Sequence, residues 1–444
     1  MNLINNLKSG VVDRLRGSSL RARSARGVVT LGIGTVAERI LRLVRNMILA
    51  RLLAPDDFGL MALVLSVLML LGCLTDVGVR QSIIHYQEGG KREYLNIAWW
   101  VQVVRGIGLF ITALLVAPAI CRFYGKPELL NLLRVSLLVV ILNGLTSPRL
   151  YLLEKEFRFV KALCLIQGSS LLGTLVAIVL AFYMQNVWVL VIGQVVQIGV
   201  QCLLSHILCP FRPMLKIDRR YLKEFLKFGR GMLGLAFLTV ISMQTDVFVL
   251  AKLLSSEKVG MYALALSLAR QPVMLFSGTI GRVLLPAFAE KQNDRKALCS
   301  AVVRLLRIIL LFGVPLAIFT ALASKTILSI VYGAKYSVVS VPFALLCFAM
   351  LFNVQAVVLA SIYIGIGKPH LHRRYVTLLA GLIICLIYPG IKLFGLAGAA
   401  VVLLFSHIIA VLMQIVWMKG VIGLRFKDYL SCWVPPAIGR SISM

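Results

Sequence analysis

The sequence predicts an all-α polytopic membrane protein, with twelve transmembrane helices in two parallel-repeat six-helix lobes around a central cavity. Three observations predict it. The first is composition: 60% of the 444 residues are hydrophobic, only 14% are charged, and the mean hydropathy is +0.92. A water-soluble chain could not hide that much apolar surface, so lipid must be part of its solvent. The second is a series of apolar runs long enough to span a bilayer, and the third is an internal repeat.

A spanning helix needs roughly 20 mainly apolar residues. Such runs fall at 28–53, 59–79, 96–120, 129–147, 162–183 and 187–209, then at 229–251, 259–285, 301–323, 338–365, 375–391 and 395–418. These define a basic interfacial segment (1–27), a first lobe (28–209), a cytoplasmic linker (210–228), a second lobe (229–418) and a cytoplasmic or interfacial tail (419–444). The segment 1–27 reads either as a short interfacial helix on an anionic leaflet or as a disordered basic tail. Tyr429–Ile438 is apolar but short and contains Pro435 and Pro436, so it reads as interfacial or as the stub of a further helix.

The basic residues test this count, because cytoplasmic loops carry the excess of Lys and Arg. With the N-terminus inside, the cytoplasmic segments hold 33 of the 47 basic residues, the opposite loops 8, and the helices six arginines. Twelve spans with both ends in the cytoplasm follow. The formal net charge of +30 is therefore a topology signal rather than a sign of nucleic-acid binding.

The repeat relates MILARLLAPDDFGLMALVLSV (47–67) to FVLAKLLSSEKVGMYALALSL (248–268) without gaps, with nine of 21 positions identical. Six spans separate the copies. An even number gives both halves the same orientation, as in transporters whose halves rock about an axis along the membrane normal.

Charge inside a bilayer is costly, at least about 2.5–3.5 kcal/mol per group on the lenient scale. On a wheel of about 100° per residue, Thr35, Glu38, Arg39, Arg42, Arg45 and Asn46 share a sector of about 120°. Lipid cannot lie against that stripe. Glu38 and Arg42 are spaced i, i+4 with the acid first, the favourable order for pairing, whereas Arg39 and Arg45 lack a local acid. The repeat places Asp246 at the position equivalent to Arg45, and the two are expected to face each other across the cavity in one transport state. Arg105 and Arg270 lie near mid-span, Arg134 is close enough to its helix start to snorkel, and Asp76 is expected to pair with Arg80, four residues on.

The expected cavity residues are thus Arg39, Arg42, Arg45, Asn46, Arg105 and Arg270, with Glu38, Asp76 and Asp246 as charge-pair or coupling groups. A net-cationic cavity favours an anion, and guanidinium matches phosphate geometry in particular. Nine cysteines scattered singly and five unclustered histidines suggest no disulfide framework, metal site or cofactor; His370 and His372 read as solvated. Nothing resembles a catalytic constellation, and no extramembrane segment exceeds about thirty residues.

LARLLAPDDFGLMALVLSVLMLLGCLTDVGV (49–79) resembles the first block of the polysaccharide transporter family, bacterial flippases for undecaprenyl-pyrophosphate-linked oligosaccharides within the multidrug/oligosaccharidyl-lipid/polysaccharide exporter superfamily. YLLEKEFRFVK (151–161), QTDVFVLAKLLSSEKVGMYALA (244–265), RVLLPAF (282–288), VYGAKY (331–336) and GIGKP (365–369) are similar to its later blocks, in order. The resemblance implies a two-lobed fold, a cationic cavity, and alternating access that moves lipid-linked sugar across the bacterial inner membrane for O-antigen, capsule or exopolysaccharide synthesis. It implies membrane lipid and a polysaccharide polymerase as partners, and a monomer as the working unit. Close relatives continue into two further helices; because the repeat is complete within twelve spans, transport is expected not to require them. The competing readings are a cation-coupled small-molecule exporter on the same scaffold and a membrane scaffold with no transport role.

Overall fold

The structure is a computed structural model that describes residues 20–74, 78–156, 158–215, 218–274, 288 and 294–433. Among these residues there are helices and turns and no strands. Lipid offers the backbone no hydrogen bonds, and a helix satisfies its own.

The chain divides into two compact units, up to Val240 and from Ile241. The first opens with α1 (Leu20–Leu52), so the predicted segment 1–27 lies mostly outside the described residues and its last eight residues belong to α1. It continues with α2 (Pro55–Leu74), the short α3 (Val79–His85), a 3-10 turn (Gln87–Gly90), α4 (Arg92–Tyr124), α5 (Leu129–Ser136), α6 (Leu138–Leu145), α7 (Arg149–Lys155), α8 (Phe159–Met184) and α9 (Trp188–Leu208). Then α10 (Arg219–Leu253) crosses the division. The second unit adds α11 (Ser256–Ala269), α12 (Arg295–Leu322), α13 (Ser324–Val331), a 3-10 turn (Ala334–Val339), α14 (Ser340–Gly365), α15 (Pro369–Ile422) and α16 (Phe426–Leu430).

Eight helices are long and apolar enough to cross a membrane, and nine if the bent segment Leu129–Leu145 with Arg149–Lys155 is one span. Three features account for the difference between nine and the predicted twelve. Four charges, Glu38, Arg39, Arg42 and Arg45, keep α1 below the apolarity of an ordinary span. Only 14 residues of α11 precede the stretch that lies outside the described residues. Finally, α15 hydrogen-bonds as one 54-residue segment but breaks at Gly395, where φ 55° and ψ −132° are non-helical. Only glycine reaches that backbone region without strain. A Cβ on nearby Gly398 would sit 1.9 Å from the Gly390 carbonyl oxygen, so the arms of this break meet backbone to backbone.

The repeat is visible in the helix ends. Helix α1 stops at Leu52 and α2 starts at Pro55; 201 residues on, α10 stops at Leu253 and α11 starts at Ser256. Leu53 N–H donates to Leu49 and Leu254 N–H to Leu250, each at 2.8 Å, and Leu49, Ala50, Leu250 and Ala251 are all buried. The turns are capped differently. Asp57 accepts from the Ala54 N–H in the first, and Ser255 from the Lys258 N–H in the second. Both devices satisfy a free N–H at a helix start.

Helix packing in the first unit runs α1 against α8, α8 against α9, and α4 against α6. Small residues allow close approach: a Cβ on Gly173 of α8 would meet Gln197 Cβ at 2.5 Å and the Gly193 carbonyl oxygen at 2.8 Å. At one end of these helices Val79, Ile83, Tyr94, Leu95, Phe211, Tyr221 and Phe225 are buried together in a separate cluster. Part of the predicted linker is therefore the first turns of α10, docked on the first unit through Tyr221 and Phe225. The family block 151–161 holds this end together. Glu154 pairs with Arg80 at 2.7 Å, and Lys155 Nζ donates to the Ile83 and Tyr86 carbonyls at the C-terminus of α3. In the second unit α14 packs along both α12 and α15. As far as it is described, the tail packs on α14. Tyr429 is buried and donates to Gln355 Oε1 of α14 at 2.8 Å, and Trp433 packs against Phe352 and Tyr429.

Candidate functional site

Helix α1 has two faces. Val36, Ile40 and Val44 recur every four residues and are exposed, as a lipid-facing row requires. Thr35, Glu38, Arg39, Arg42, Arg45 and Asn46 are all half-buried. Helix α8 fixes the rotation of α1, because Gln167 Nε2 donates to the Gly34 carbonyl and a Cβ at Gly34 would press on Leu163 and Gln167 at 2.7–2.8 Å.

Within the stripe, Arg42 Nη2 donates to Glu38 Oε1 at 2.6 Å, the expected i, i+4 pair, with the side chains 42% and 25% exposed. Arg45 meets only an amide: its Nε and Nη2 lie 3.4 Å from Asn46 Oδ1. Arg39 Nε is buried and has no hydrogen-bond partner among the described residues. Among the described residues, one acid thus answers three arginines, and two guanidinium groups keep donors free for an incoming anion. Guanidinium cannot deprotonate in a protein, so these donors stay charged.

The other predicted residues are distributed differently. Arg105 Nη2 donates to the Gly72 carbonyl at 2.6 Å, which ties α4 to α2 and gives this arginine a packing role. Asp76 lies outside the described residues; Arg80, its expected partner, pairs with Glu154. Asp246 is 1% exposed and has partners inside its own unit. Its Oδ1 accepts from the Val247 N–H at 2.8 Å and its Oδ2 from the Tyr262 hydroxyl at 3.2 Å. The cation whose field reaches it is Arg270, whose Nη2 also donates to the Met243 carbonyl at 3.3 Å. Arg270 is therefore the second unit's own counter-charge to Asp246, and not an unengaged cavity cation. Arg134 is exposed, as snorkelling requires.

Three polar groups of the second unit gave no sequence signal. Asn353 Nδ2 lies 2.7 Å from His407 Nε2, whose Nδ1 is 2.8 Å from the Leu403 carbonyl. Single polar residues in apolar helices have no periodicity to betray them. Tyr262 was hidden in the same way inside the repeat. His372, expected to be solvated, is half-buried on α15.

Comparisons with known proteins agree with this architecture. The lipopolysaccharide biosynthesis protein WzxC of Escherichia coli (strain K12) is 26% identical over 94% of this chain and 85% of its own. Among solved structures, the lipid II flippase MurJ in an inward closed conformation matches with a TM-score of 0.75 and 16% identity, over 91% of this chain and 90% of its own. An inward-facing multidrug resistance MATE family transporter of the MOP superfamily matches with a TM-score of 0.69 and 15% identity, over 88% and 98%. These likenesses show the fold. The family model described as "Polysaccharide biosynthesis protein" matches residues 48–342, and the chain, a multi-pass helical membrane protein, belongs to that family.

Proposed function

We propose that the chain is a flippase that moves undecaprenyl-pyrophosphate-linked oligosaccharide repeat units across the bacterial inner membrane, for O-antigen, capsule or exopolysaccharide synthesis. The observation that carries this reading is the face of α1 on which, among the described residues, Arg39 and Arg45 hydrogen-bond to no carboxylate. Such groups at bilayer depth suit a doubly charged pyrophosphate, which accepts bidentate hydrogen bonds while its lipid tail stays in the hydrocarbon. Family membership, the relative named for lipopolysaccharide biosynthesis and the fold shared with a lipid flippase support it.

In this reading the arginine face lines a cavity between two parallel-repeat lobes (28–209 and 229–418) that open alternately to either leaflet. Both termini are cytoplasmic, the working unit is a monomer, and a polysaccharide polymerase takes the product. The twelve-span count is supported by the nine apolar candidates together with α1, α11 and the break at Gly395. The protein is a transporter and not an enzyme.

Deletion of the gene in its host tests this directly. Surface polysaccharide should be lost, with lipid-linked repeat units stranded on the cytoplasmic leaflet. Normal polysaccharide with altered drug susceptibility would replace this reading with a cation-coupled exporter.

A further inference from the structure

Helix α9, one of the apolar spans of the first unit, carries Gln194, Gln197 and Gln201 in its middle third. At about 100° per residue the three share a sector of about 60°. Leu203 and Ile207 are exposed, as lipid-facing side chains must be, and lie about 110–150° from the middle of that sector on the same wheel. The glutamines are half-buried and turned away from the lipid. Among the described residues none of the three amides makes a hydrogen bond, and Gln194 Oε1 is buried without a partner.

An unpaired amide at bilayer depth is costly. A glutamine in a spanning helix can find its partner on a neighbouring helix, but α9 meets α8 through glycine. A Cβ on Gly173 would stand 2.5 Å from Gln197 Cβ, and one on Gly193 would stand 2.7 Å from Ala177 Cβ. Neither Gly173 nor Ala177 has a side chain that could pair with an amide. Three unmet amides on one face call for a polar occupant. Each presents two N–H donors and a carbonyl acceptor, without charge. Phosphate only accepts and is better served by guanidinium. Neighbouring hydroxyls of a sugar both donate and accept, so they match the amide.

This face stands at the level of the arginines of α1. Helix α8 packs against both α1 and α9. It meets α1 where Gln167 donates to the Gly34 carbonyl, and it meets Gln197 at Gly173, six residues further on. Helices α1 and α8 contain the first and fifth predicted spans, which run in the same direction. Six residues beyond Gly34 lies Ile40, between Arg39 and Arg42. In a pyrophosphate-linked oligosaccharide the first sugar is joined directly to the phosphate, so a group that binds it belongs beside the arginines. We propose that Gln194, Gln197 and Gln201 form a subsite for the saccharide hydroxyls of the lipid-linked substrate, an inference that deepens the flippase reading above and rests on it.

The test uses the full chain in nanodiscs of phosphatidylethanolamine and phosphatidylglycerol, with native mass spectrometry as the readout. Two probes are compared: undecaprenyl pyrophosphate, and the same lipid bearing the repeat unit, extracted from the host. The wild type should hold the glycosylated lipid about tenfold more tightly than the bare one, as three neutral hydrogen bonds at the weak end of their range allow. Replacing all three glutamines by Met, which keeps their length, should bring the glycosylated lipid down to the affinity of the bare one and leave the bare one unchanged. Gln194→Leu with Gln201→Leu should lose most of the preference and keeps the test valid if the triple variant does not fold. Preference for the glycosylated lipid retained in both variants would show that the amides hold only water, and would overturn the subsite while leaving the flippase reading standing. Equal loss of both probes would assign the glutamines a structural role, and equal binding of both by the wild type would also overturn the subsite. Binding of neither probe by the wild type would overturn the proposed substrate class along with it.

Discussion

Phe225 is the residue through which the start of α10 is held to the first unit, and its removal has a calculable cost. Its side chain is fully buried, with its ring centroid 6.2 Å from that of Tyr94. Tyr94 in turn stacks on Tyr86 at 5.0 Å and meets Tyr221 edge-on at 5.7 Å. This cluster sits at helix ends beside the exposed Lys91 and Arg92, where water is the alternative solvent, so the full transfer and cavity terms apply. Phe225→Ala should therefore cost about 3–5 kcal/mol in the docking of this segment. If docking limits local opening, the lower figure speeds amide exchange roughly 150-fold, since each 1.4 kcal/mol is about tenfold. Hydrogen-exchange mass spectrometry of the nanodisc-embedded protein would resolve this across residues 219–228, with the α8–α9 amides as an internal reference. Unchanged protection at 219–228 would show that the aromatic cluster does not hold α10 in place, and the reasoning would fail.

Two further predictions concern the same end of the molecule and the break in α15. The Glu88 carboxyl is held below the usual carboxylate range, chiefly by the Lys91 ammonium and then by the Tyr221 hydroxyl. A depressed carboxyl pKa stabilises above the unfolded value of about 4.3 and loses that contribution as pH falls through the folded value. Protection of residues 219–225, corrected for intrinsic exchange rates, should fall on acidification below about pH 4 in the wild type and be flat with pH in Glu88→Gln. Gly398→Ala would place a methyl against the Gly390 carbonyl and should destabilise the second unit by about 3 kcal/mol or more. Thermal unfolding of the detergent-solubilised protein should show a lowered midpoint, and an unchanged midpoint would contradict the close approach.

What the sequence could reveal depended on whether a feature was periodic or long-range. The α1 stripe was legible because its polar residues share one face of a single helix, and its Glu38–Arg42 pair followed from spacing alone. The repeat equates the turn between α1 and α2 with that between α10 and α11 to the residue, because a gapless offset carries turn positions with it, while the apolar runs alone place these ends up to four residues away. Contacts between distant segments were not legible. Arg80 reaches Glu154 across 74 positions, and Asp246 finds Tyr262 and Arg270 on the next helix. Its repeat-mate Arg45 is equivalent to it by sequence symmetry, which carries equivalence and not proximity. The count of spans was blurred where charge, a bend or a single glycine departs from a uniform apolar run, as in α1, the pair α5–α6 with α7, and α15. Arg105 illustrates the remaining ambiguity. A mid-span arginine reads the same whether it serves a ligand or a backbone carbonyl, and here it donates to Gly72.

The central claim is that the Arg39 and Arg45 guanidinium groups of α1 engage the phosphate end of the substrate. Its most direct test is the rate at which lipid-linked repeat units reach the periplasmic leaflet in cells whose only copy of the gene carries Arg39→Ala with Arg45→Ala, at matched membrane levels of protein. Each lost charge-assisted hydrogen bond is worth about 1.5–3 kcal/mol, so the rate should fall at least tenfold. A rate equal to that of the unaltered protein would show that these arginines do not handle the substrate.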